Sequence, residues 1–191
     1  RPPRMPVVMW GLYGAANVLR ELPRLTEIGF THCIGFGANY KSIFDAGLPI
    51  VPDTPERVAE VKRMLDTALA YDVGIIATLS PGHWAANAKP EFRRVNRKGA
   101  SDDNKPALCA AFPEMQAFAF HVGSSVAQAY SAFPAWQATL LHTEVRDGAN
   151  VCWHAHDREA CQRATGSDYP SDAPNKGGVD YTKLGDFPSD R

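Results

Sequence analysis

Charge of either sign is in short supply as a net quantity: 20 Lys and Arg stand against 21 Asp and Glu in 191 residues. Near-balance leaves no global field of the kind that draws a protein onto nucleic acid or an anionic membrane surface, so neither is expected as a partner. No apolar run approaches the roughly 20 residues of a membrane-spanning helix. Cysteine is scarce, with four in the chain, too few for a disulfide scaffold and spaced as well for a metal site as for plain burial. What is abundant is core material. Hydrophobic residues make up 45% of the sequence, ample for one domain on the usual scale of about 100–200 residues.

That material is arranged in alternating patterns. Val7 to Tyr13 is a short apolar run ending at Gly14, and Leu19, Leu22, Leu25 and Ile28 follow at helical spacing, with Pro23 expected in the first turn or at a kink. Gly29 stops that helix, and His32 to Phe36 supplies a second buried run. After a loop rich in Gly and Pro, Thr54-Pro55-Glu56 places an N-cap, a first-turn proline and an early acid before a periodic segment reaching Tyr71. Gly74 to Leu79 predicts a third strand that breaks at Pro81-Gly82. The polar stretch from Glu91 to Lys105 reads as a solvated loop, Pro113 to Tyr130 as a helix, and residues 138–144 as a fourth strand.

Strands alternating with helices predict a parallel sheet in the order of the chain, with every strand's carboxyl end on one face. Four strand-helix steps use most of the sequence, whereas a closed eight-stranded barrel of the TIM type takes about 250 residues. The expectation is an α/β chain that supplies the first four units of a parallel (β/α) barrel over residues 1–165. An irregular tail over 166–191, rich in Gly, Pro, Ser and Asp, would lead toward the other half. A second chain or the remaining half of the barrel is then the expected partner. An open four-stranded sheet complete in itself is the alternative.

Glu144 closes the run Ala138-Thr139-Leu140-Leu141-His142-Thr143 and precedes Val145-Arg146-Asp147-Gly148. A carboxylate at the carboxyl end of a strand sits where such folds do their chemistry. The plainer reading is an exposed Glu paired with Arg146, which alternation along an extended strand puts on the same face. Tyr13, Phe36, His83, Trp84 and Glu144 are expected around a common mouth, with Trp10 available as an apolar wall. The candidate substrate contacts are Trp10, Tyr13, His83, Trp84, His142, Thr143 and Arg146; aromatic side chains there suit a sugar face or simple rim packing.

A strand ending in Trp10-Gly11-Leu12-Tyr13, the segment Leu22-Pro23-Arg24-Leu25 running to Glu27-Ile28-Gly29-Phe30-Thr31, the strand ending at Glu144, and the stretch from Cys152 to Cys161 together resemble the first half of a clan A glycoside hydrolase barrel. Within that clan the likeness is greatest to the family 42 β-galactosidases, and it spans about residues 6 to 165. The resemblance implies a retaining hydrolase acting on a carbohydrate, with Glu144 as general acid/base and the nucleophile on a seventh strand outside these residues. Thr143 stands where the family has an Asn that holds the sugar's 2-hydroxyl.

The same resemblance implies zinc. Family 42 enzymes often carry one Cys after the third strand and a Cys-x-Cys-x-x-Cys cluster after the fourth. Cys109 lies in the matching loop; Cys152, His154 and Asp157 fall on the three cluster positions, with His156 one place off. Thiolate and imidazole are suitable zinc ligands, and a closed four-coordinate site is structural. The plainer reading leaves His154 and His156 as loop histidines and Cys161 as a buried helix residue.

Two further functions stay in view. A non-catalytic carbohydrate-binding or structural member of the same fold is favoured by Thr143 and by the absence of a second strand-end carboxylate. A metal-dependent hydrolase using His142, Glu144, His154 and His156 is the weaker alternative, because no two of these share zincin spacing.

Overall fold

The computed structural model describes residues 5–101, 103, 106–141 and 152–168. The chain is mixed α/β, and four parallel strands lie in the order β1-β2-β3-β4: β1 (Val8–Met9), β2 (His32–Phe36), β3 (Gly74–Leu79) and β4 (Trp136–Leu141). The helices are α1 (Ala15–Glu27), α2 (Tyr40–Ala46), α3 (Pro55–Ala70), α4 (Pro81–Ala88), α5 (Pro113–Tyr130) and α6 (Ala155–Thr165). None of the described helices is long and apolar enough to cross a membrane.

Two compact units divide the chain, one comprising residues 1–81 with 116–142 and the other 82–115 with 143–191. In the first, α1 and α3 pack on each other and on β2. The helical pattern predicts Val58, Val61, Met64, Leu65, Ala68 and Leu69 as the buried face of α3; the first five are buried and Leu69 is 53% exposed, and Thr54 caps the helix by accepting a hydrogen bond from the Arg57 N–H at 3.4 Å. Residues 116–130 of α5 join this unit through an edge-to-face contact of Phe44 with Phe118 at 5.2 Å and a hydrogen bond from the Ile50 N–H to Ser125 Oγ at 3.0 Å.

The periodic reading of the second and third strands matches the structure residue for residue, because both runs are apolar and bounded by turns. The first strand is shorter than the predicted 7–13, since Gly11 adopts φ 108° and turns the chain out of the sheet after Met9. Pro23 lies inside α1, which begins at Ala15, eight residues before it; the helix buries Ala15, Val18, Leu22 and Leu25 and leaves Ile28 exposed. The predicted loop after Gly37 contains α2, capped by Asn39 Oδ1 accepting from the Ser42 N–H and closed by Gly47 in the left-handed region. Pro81-Gly82, expected only to break the third strand, opens α4, where a first-turn proline needs no N–H partner.

At the amino ends of the strands, His32 Nε2 and Gln137 Oε1 meet at 3.0 Å. A Cβ on Gly74 would lie 2.5 Å from the His32 ring and 2.7 Å from Gln137 Oε1, so the missing side chain makes room for this bridge. At the carboxyl ends, Tyr40 Oη accepts from the Ser80 N–H at 2.8 Å and fastens α2 to the end of β3. Most of β4 is exposed, from Gln137 to Thr139 and again at Leu141.

Candidate metal centre

Glu144 and its neighbours His142, Thr143 and Arg146 lie outside the described residues. Of the other predicted substrate contacts, Trp10 and Tyr13 follow β1 in the first unit, 63% and 61% exposed. His83 and Trp84 belong to the second unit, on α4, the former exposed and the latter half-buried. Phe36, expected at the rim, is instead a core residue: it is 6% exposed, with the Tyr130 ring at 4.9 Å and the Trp136 ring at 6.0 Å. Its position on β2 is the reason, since every residue from Cys33 to Phe36 is buried.

The predicted metal residues do converge. In the second unit Cys109, Cys152, His154 and Asp157 each offer a ligand atom, and all four atoms lie within 4.8 Å of one another. Individual separations are 3.2 Å from Cys109 Sγ to Asp157 Oδ2, 3.1 Å from Cys152 Sγ to His154 Nδ1 and 3.6 Å from His154 Nδ1 to Asp157 Oδ2. Four ligands at about 2.0–2.3 Å from a tetrahedral centre stand roughly 3.3–3.8 Å apart, so these three separations lie within a few tenths of an ångström of such a shell. His156 is near as well, its Nε2 3.4 Å from Cys109 Sγ and 3.2 Å from Asp157 Oδ2. The structure therefore brings both fourth-ligand candidates to the site. Cys161 stands on α6 beside Thr165 and outside the group, half-buried rather than buried.

Local structure explains the placement. His154 is the N-cap of α6, and Asp157 lies in its first turn, where an acid also favours the helix dipole. The spacing 152, 154, 157 thus wraps three donors around one helix start. Cys109 lies four positions beyond the polar stretch, Glu91 to Lys105, expected to be a solvated loop. The start of that stretch is instead tied to the segment before Cys109: an isolated antiparallel bridge pairs Arg93 with Leu108, and the Cys109 N–H donates to the Phe92 carbonyl at 2.9 Å. Arg93, its side chain only 12% exposed, donates to the Ala86 carbonyl at 2.6 Å and pairs with Asp103. Arg94 Nε donates to the Leu108 carbonyl at 2.9 Å. Charge density in the sequence hid these bonds, because an arginine that ties down backbone carbonyls has the same composition as one in water.

Aromatic packing completes the wall, and spacing gave no signal for it. Phe112 meets both imidazoles edge-on, at 5.1 Å for His154 and 4.7 Å for His156, and the two imidazoles stack at 4.9 Å. Trp153 takes the Arg97 guanidinium over its ring at 4.5 Å, and its backbone N–H donates to the Val95 carbonyl at 2.9 Å. Cys109 is 1% exposed and Cys152 9%. Burial is the main force that raises the Cys109 thiol to about 12, with Asp157 and Cys152 adding to it and a hydrogen bond from the Ala111 backbone opposing it. A cation reverses that balance, because it stabilises the thiolate that the apolar wall disfavours. The group can therefore hold a metal ion, and binding releases protons.

No protein-family model and no curated protein matches this chain. Among solved structures it is similar to a hypothetical protein from Ruminiclostridium thermocellum ATCC 27405, with 9% identity over 69% of this chain and 75% of that chain and a TM-score of 0.48. A likeness that slight carries no argument about activity.

Proposed function

We propose that the chain is the N-terminal half of a (β/α) barrel glycoside hydrolase similar to the family 42 β-galactosidases, with a structural zinc ion held by Cys109, Cys152, His154 and Asp157. The observation that carries this reading is the meeting of one cysteine from the segment after β3 with residues 152, 154 and 157, the spacing of that family's cluster. Two sulfurs, an imidazole and a carboxylate suit zinc better than magnesium or calcium, which take oxygen shells. Zinc there supplies charge that holds two thiolates and ties two segments together, and takes no part in the reaction.

Glu144 is the general acid/base in this reading, following a sheet whose strands are all parallel. It gives its proton to the leaving oxygen of a carbohydrate substrate while a second carboxylate, about 5–5.5 Å away and contributed by the other half, attacks the anomeric carbon. The rest of the barrel pairs with the open edges of β1 and β4. In the assembled enzyme Glu144→Gln is expected to slow substrates with poor leaving groups by about 10²- to 10⁴-fold, and activated aryl glycosides far less. Equal, undiminished rates on both substrate types contradict the assignment. Thr143, in the place of the family's Asn, favours a second reading in which the fold binds carbohydrate without hydrolysing it; that reading predicts saturable sugar binding and no turnover.

A further inference from the structure

Beside the metal cluster stands an imidazole that the ligand set does not use. His156 is outside the group whose ligand atoms all lie within 4.8 Å of one another, yet its Nε2 is 3.4 Å from Cys109 Sγ and 3.2 Å from Asp157 Oδ2. We propose that His156 is a positioning residue for the metal: it stays out of the coordination shell and donates its Nε2–H to the Cys109 thiolate and the Asp157 carboxylate. The inference rests on the reading of Cys109, Cys152, His154 and Asp157 as metal ligands. It adds a role at a position that the Cys-x-Cys-x-x-Cys pattern leaves unspecified.

Charge is the first observation behind it. Two thiolates and a carboxylate bring three negative charges to a divalent ion, so the loaded site carries an excess of negative charge, and its sulfurs belong to residues only 1% and 9% exposed. Buried charge is tolerated where hydrogen-bond donors meet it. The Ala111 backbone supplies one donor to Cys109. His156 is placed to supply another, and to share it with Asp157. A metal-bound thiolate and a carboxylate can only accept, so the ring nitrogen that faces both carries the hydrogen, which fixes His156 as the Nε2–H tautomer.

Packing is the second observation, because it holds the ring where that donation requires. Phe112 meets the His156 ring edge-on at 4.7 Å, and the His154 ring stacks on it at 4.9 Å with 25° between the planes. The backbone places it as well: His156 sits in the first turn of α6 between the capping His154 and Asp157. Cys109 lies 47 positions away in the sequence, so one imidazole joins the two segments that contribute ligands. Its side chain is 37% exposed against 1% for Cys109, and a half-exposed ring thus covers a buried sulfur. Hydrogen-bond partners of metal ligands are worth about 10- to 100-fold in metal affinity.

The test measures the zinc affinity of the full chain, by competition with a chromophoric chelator, in the parent, in His156→Phe and in His156→Gln. The first variant keeps a ring against Phe112 and His154 but has no donor, whereas the second keeps an N–H donor. His156→Phe is expected to weaken zinc binding about 10- to 100-fold and His156→Gln to stay within about threefold of the parent. In the cobalt(II) form, loss of the N–H leaves a more electron-rich thiolate, so the sulfur-to-metal charge-transfer band is expected to move to longer wavelength in His156→Phe and to hold its place in His156→Gln. X-ray absorption is expected to show the outer scattering of a single imidazole, that of His154, in the parent and in both variants. Parent affinity in His156→Phe, binding by His156→Gln as weak as that of His156→Phe, or loss of imidazole scattering in His156→Phe, which makes His156 a ligand, overturns the proposal and leaves the metal site standing. A parent chain that takes up no zinc overturns the metal site and this inference with it.

Discussion

The two units of this chain are held together by different means. The first has an apolar core with Val18, Leu22, Ile43, Met64, Leu65, Ile75, Val122 and Val126 all at 1% exposure or less. Among the described residues of the second, the buried apolar side chains are Ala85, Ala86, Cys109, Met115 and Cys152, mostly small and two of them metal-ligand candidates. Burial of Leu, Ile or Val stabilises by about 1.5–3 kcal/mol each, so the first unit has a driving force that the second lacks. Hydrogen bonds from Arg93 and Arg94 to backbone carbonyls fix the path of the second unit but contribute only about 1 kcal/mol each. A small apolar core is the condition under which metal sites become structural.

The contrast breaks most visibly at the metal cluster. Structural zinc contributes about 10–16 kcal/mol of apparent binding free energy in small domains, so Cys152→Ala is expected to abolish stoichiometric zinc. Hydrogen exchange should then accelerate over residues 92–112 and 152–165 while residues 32–36 and 74–79 keep their protection. Uniform exchange across both units would show that they do not differ in the way described. The reciprocal change is Leu22→Ala in a fully buried position of α1. It should cost about 2–5 kcal/mol, read as a lower urea midpoint, with zinc content unaltered.

A smaller effect comes from Cys33, which is fully buried on β2, where burial raises its thiol pKa from 9.0 to about 11. The native state keeps a proton that the unfolded chain releases, so this contribution is complete below pH 9 and is lost as pH climbs to 11, about 2–3 kcal/mol in all. Cys33→Ala should flatten that part of the stability profile relative to the parent chain; identical profiles would place the thiol in a more solvated environment.

What could be read from the sequence follows the same division. β2, β3 and α3 were legible because an apolar period carries their burial, and the parallel order of the sheet followed from alternation. Strand β1 was overread because its apolar run continues past Gly11, whose backbone conformation the pattern does not encode. Helix α2 was missed although Asn39 and Gly47 mark both of its ends, since seven residues hold too few turns for periodicity. The metal residues came from the family resemblance, while the path of the chain that leads to Cys109 has no counterpart in the pattern, because the bonds of Arg93 and Arg94 go to the carbonyls of Ala86 and Leu108, 7 and 14 positions away. Tyr130 and Asp53 illustrate the limit: nothing in either segment announces that residues 77 positions apart share one cavity.

The central claim is that Cys109, Cys152, His154 and Asp157 share one metal ion. X-ray absorption at the zinc edge on protein purified without chelator tests it most directly. The expected shell has two sulfurs at about 2.3 Å and two nitrogen or oxygen atoms at about 2.0–2.2 Å. A shell without sulfur, or protein free of zinc that takes up none when it is supplied, would contradict it.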